Sequence, residues 1–189
     1  MQLNDREHAN QTVLDAFRVV ERIYRHTYQT LIALKDEIKS ALDLKFESPQ
    51  IPQSQSSTDP KSWIHQYRGL HLAREKFSLE DYRKKSTPIL FLQASLYGEP
   101  PRKPILRYGM IERIFDFIEY KNPRFDDYFK KILLELHSAP RSGDIETGNC
   151  KARLDYKEKP LLDILETQDV VALAKETVAV FGPSLHQRA

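Results

Sequence analysis

The sequence predicts an α+β protein, with a long N-terminal amphipathic, coiled-coil-like helix followed by a small, mostly antiparallel sheet packed with helices. Three observations carry this reading. An apolar stripe recurs at spacings of four and three from Val13 to Ala41. The segment CKARLDYK (150–157) alternates apolar and polar residues. Segments 123–137 and 168–181 show helical periodicity with recognisable end signals.

The first helix is the most unusual element. Asn4 or Asp5 caps it, and no Gly or Pro interrupts the chain between Met1 and Ser48, so the first break falls at Pro49. At 1.5 Å per residue such a helix spans roughly 63 Å, well beyond a typical globular helix. The stripe places Phe17, Tyr24, Leu31 and Ile38 at a-type heptad positions and Val13, Val20, Thr27, Leu34 and Ala41 at d-type positions. Two-stranded coils prefer Val or Ile at a and Leu at d, so Phe17, Tyr24 and Thr27 depart from that pattern. Near its start the stripe widens to include Leu14, Ala16, Val19 and Ile23, as suits packing on a sheet or on two helices. The later half is narrower and resembles a coiled-coil seam. Such a stripe needs a surface, either the rest of this chain or another chain. The interface expected with another chain comprises Val13, Phe17, Val20, Tyr24, Leu31, Leu34 and Ile38.

Residues 48–60, SPQIPQSQSSTDP, hold three Pro, four Ser and three Gln with one isolated apolar residue, Ile51, and read as a linker. The chain therefore divides into a helix over 1–47, a linker over 48–60 and an α+β domain over 61–189. Asp59-Pro60 resembles a helix start, with Trp63, Ile64, Tyr67, Leu70 and Arg74 following at helical spacing, although Gly69 weakens that helix. PILFLQASLYG and ILRYGMIERIFDFIEY read as two antiparallel strands, the second giving way to helix near Ile111 and Ile114. In 123–137, Asn122 caps, Pro123 takes the first turn, and Phe125, Tyr128, Phe129, Ile132, Leu133 and Leu136 form one face. Cys150, Ala152, Leu154 and Tyr156 share the buried side of a strand with one wet face. The last helix stops at Gly182, with Pro183 beyond it.

Composition narrows the functional classes. The 189 residues are 40% hydrophobic and 30% charged, as in an ordinary folded protein. No run of 18 apolar residues occurs, so no membrane partner is expected. The first residues show no leader pattern, and the single Cys150 excludes an internal disulfide, so a cytoplasmic location is expected.

No catalytic, cofactor-binding or metal residue is assigned. Asp155-Tyr156-Lys157 imitates the acid-x-Lys element of metal-dependent nucleases, with Asp144 and Glu146 upstream as further oxygen ligands, but three-residue matches arise by chance. His71 and Glu75 would share a helix face without a second histidine in register, and Cys150 reads as a core thiol.

The leading functional reading is a non-enzymatic interaction or assembly subunit, a homo-oligomer or part of a protein complex, that uses the long helix to self-associate or to dock on a larger partner. The alternative uses the basic segment 61–107, with ten Lys or Arg against four acids. It would contact nucleic acid through Arg68, Arg74, Arg83, Lys84 and Lys85, as a binder or, less readily, as a nuclease.

Overall fold

The computed structural model describes residues 3–48, 51–53, 67–75, 87–96, 103–117, 140–147 and 150–186, together with Phe129, Ile132, Leu133 and Leu136. Helix α1 (Leu3–Leu42) precedes seven strands: β1 (Phe46–Glu47), β2 (Ile51–Gln53), β3 (Tyr67–Ala73), β4 (Ile89–Ser95), β5 (Ile105–Phe117), β6 (Ser142–Thr147) and β7 (Cys150–Pro160). A 3-10 turn (Leu161–Asp163) leads into helix α2 (Thr167–His186). The strands form one sheet in the order β1-β3-β4-β5-β7-β6, with β2 pairing the same edge of β3 further along. All these pairings are antiparallel. The chain is α+β, as its periodicities predict.

Both faces of the central strands are buried. On one face Leu70, Leu72, Leu90, Leu92, Leu106, Tyr108 and Met110 meet the second half of α1 (Leu31, Leu34, Ile38, Leu42) and α2 (Leu173, Phe181, Leu185). On the other, Ile89, Phe91, Ile111, Ile114, Ala152, Leu154 and Tyr156 meet Phe129, Ile132, Leu133 and Leu136, of which the first three are helical. This explains why β4 is apolar at almost every position: it is buried throughout. Gly109 lies between Phe91 and Tyr156 in the ladder, and a Cβ there would collide with Tyr156. Its bareness lets those two rings meet at 6.3 Å.

The second face also holds a buried polar network. Arg107, its side chain 3% exposed, donates to Glu158 at 2.8 Å and to Gln93 at 3.2 Å. Gln93 in turn donates to the Leu133 carbonyl at 2.7 Å, and Tyr156 donates to the Leu136 carbonyl at 3.1 Å. Two sheet side chains thus bond to main-chain carbonyls of this segment and tie it to the sheet.

Three local features join α1 to the sheet. Asp43 is left-handed (φ 49°) and the Leu44 amide donates back to the Lys39 carbonyl at 3.1 Å, a Schellman-type stop built without glycine. Lys35 and Lys39, one turn apart, both reach Glu47 of β1, at 3.1 and 2.7 Å. Ser48 replaces a ladder residue: its amide donates to the His71 carbonyl and its hydroxyl accepts from the His71 amide, each at 3.0 Å.

Four sequence expectations are corrected. The linker expected over 48–60 begins as edge strand, because Ser48 and Ile51–Gln53 bond to β3. Tyr67–Ala73 is strand rather than helix, since pairing with β1, β2 and β4 overrides its spacing. Ile111 and Ile114 remain in β5. A register shift between Ile111 and Arg113 adds a residue, so a spacing of three keeps both isoleucines on one face and imitates a helix; a second shift follows between Ile114 and Asp116. Helix α2 also runs through Gly182 and Pro183. Gly182 is a packing position, where an added Cβ would sit 3.0 Å from Leu42, rather than a stop. The expected helix start near Asp59-Pro60 lies outside the described residues.

His71 yields the first prediction. Its ring is buried between Phe46 and Phe129, at 5.5 and 4.5 Å, and burial lowers its pKa from 6.5 to about 4. The folded chain keeps it neutral while the unfolded chain protonates it, so its contribution is fully present above pH 6.5 and lost as pH falls towards 4. That contribution is on the order of 3 kcal/mol. Urea denaturation across this window should show stability falling with pH in the wild type. The His71→Leu chain should show a shallower fall.

Candidate interaction surface

Helix α1 is longer than the body beneath it. Its 40 residues extend about 60 Å, whereas the seven-residue strands β3 and β4 extend about 23 Å. Only part of the helix can lie on the sheet. Thr27, Thr30, Leu31, Leu34 and Ile38 are buried, and before Ile23 every residue from His8 onward is exposed. The exposed arm carries Val13 (53% exposed), Leu14 (52%), Phe17 (69%), Val19 (54%) and Val20 (37%). These residues continue the stripe whose later members cover the sheet.

The division corrects part of the sequence expectation. The expected interface ran through both halves of the helix, yet Leu31, Leu34 and Ile38 are each 0% exposed within the chain's own core and present nothing to a partner. The second half is wider than its apolar residues suggest. Thr30 is buried beside them, and Lys35 lays its stem down with only 13% of its side chain exposed while its ammonium reaches Glu47. Thr27 enters the core by donating to the Ile23 carbonyl at 2.7 Å. Of the expected interface, Val13, Phe17 and Val20 lie on the free arm. Tyr24 stands at the junction, half-buried, with the Arg68 guanidinium 5.7 Å from its ring centre. Leu14 and Val19 belong to the patch although they fall outside the narrow heptad seam.

The arm's other sides are polar. Asp15 accepts from Gln11 at 3.0 Å and from Arg18 at 2.9 Å, and Arg25 pairs with Glu21 at 2.6 Å. Arg18, Glu21, Arg22, Arg25, His26 and Gln29 line a shallow polar groove along this side. Exposed pairs of this spacing contribute a few tenths of a kcal/mol each, enough to favour helix but not to bury anything.

Several of the residues considered for other chemistries make structural contacts. Arg153 holds both oxygens of Asp144 across the β6–β7 ladder, at 2.6 and 3.2 Å, which keeps that carboxyl below its usual pKa. Lys151 pairs with Glu146 at 3.3 Å, and Lys157 with Glu176 of α2 at 2.8 Å. Among the described residues no group of three or more His, Cys, Asp or Glu could hold a metal ion. His71 sits in a strand, so it shares no helix face with Glu75; Cys150 opens β7 opposite Phe117 and Thr147. Arg74 is half-buried after β3, and Arg107 of the basic segment is consumed in the buried network. Arg83, Lys84 and Lys85 lie outside the described residues. No helix among the described residues is long and apolar enough to cross a membrane. No protein family, curated protein or solved structure matches the chain.

The split of α1 predicts opposite outcomes for two similar substitutions. Phe17→Asp should change the stability of the isolated chain by less than about 0.5 kcal/mol, as for an ordinary surface change. Leu34→Asp places a carboxylate in the core without a partner and should cost at least about 4 kcal/mol. Urea denaturation at low protein concentration measures both.

Proposed function

We propose that the chain is a non-enzymatic assembly subunit whose free N-terminal helix arm attaches it to another protein chain. The observation that carries this reading is the exposed run Val13, Leu14, Phe17, Val19 and Val20 on a helix whose second half is anchored in the core. Five large apolar side chains on one helical segment are costly to leave in water, and patches of this kind mark sites of interaction. The anchoring supports the same reading. The arm continues a helix held by core packing, the Asp43 stop and the Lys35–Lys39–Glu47 contact, so little order remains to be imposed when it binds.

The test is the native mass of the tagged full-length chain in extracts of its own cells. The wild type should migrate in an assembly above the 22.1 kDa of one chain. The Phe17→Asp chain, verified as folded by circular dichroism, should be lost from it. Migration of both proteins as single chains would refute the assembly reading.

A further inference from the structure

We draw no further inference here: the strongest candidate, the exposed apolar face of the α1 arm at Val13, Leu14, Phe17, Val19 and Val20, carries nothing beyond the assembly reading because nothing in the structure shows what covers it.

Discussion

The fold depends on one contact: Leu31, Leu34, Ile38 and Leu42 of α1 closing the sheet face that Leu70, Leu72, Leu90 and Leu92 present. Without it, the central strands, buried on both sides, would expose a face rich in leucine to water. Helix α2 closes the remainder of that face, and Leu42 packs where Gly182 has no side chain, so the two helices and the sheet share one core. The same contact holds the arm. The helix cannot slide or lift without opening the core, so the exposed residues of its first half keep a fixed relation to the body.

Much of the fold was legible in local patterns, and the exceptions have specific physical causes. The alternation at 150–157 reads correctly because one face of β7 is buried and the other carries cross-strand ion pairs such as Arg153–Asp144. Helix α1 reads correctly because nothing in it breaks a helix. Ile111 and Ile114 misled because a bulge changes the parity of a strand, and no single-sequence period separates that from a helical turn. Gly182 and Pro183 misled because a glycine needed for close packing has the same letter as one needed to stop a helix.

The candidate surface was half legible. The stripe itself is plain, but periodicity records which residues share a face, not how far the body extends beneath it. The relevant width lay in Thr30 and in the stem of Lys35, both counted as polar. The dividing point is marked by Thr27, a polar residue that enters the core by bonding to its own helix. The basic segment shows the opposite failure. Its charge is real, but Arg107 is used internally against Glu158, which no count of cations reveals.

Because α1 passes from core to arm without a glycine or proline, the junction near Thr27 acts as an indexed shaft. Each residue added or removed there would turn the arm's apolar side by about 100° about the helix axis and shift it by about 1.5 Å. One extra residue would point Phe17 away from its former direction, whereas seven would restore it to within about 20°. An insertion of eleven residues would likewise restore its direction to within about 20°, so a change in the length of this helix acts through rotation even where no side chain is changed.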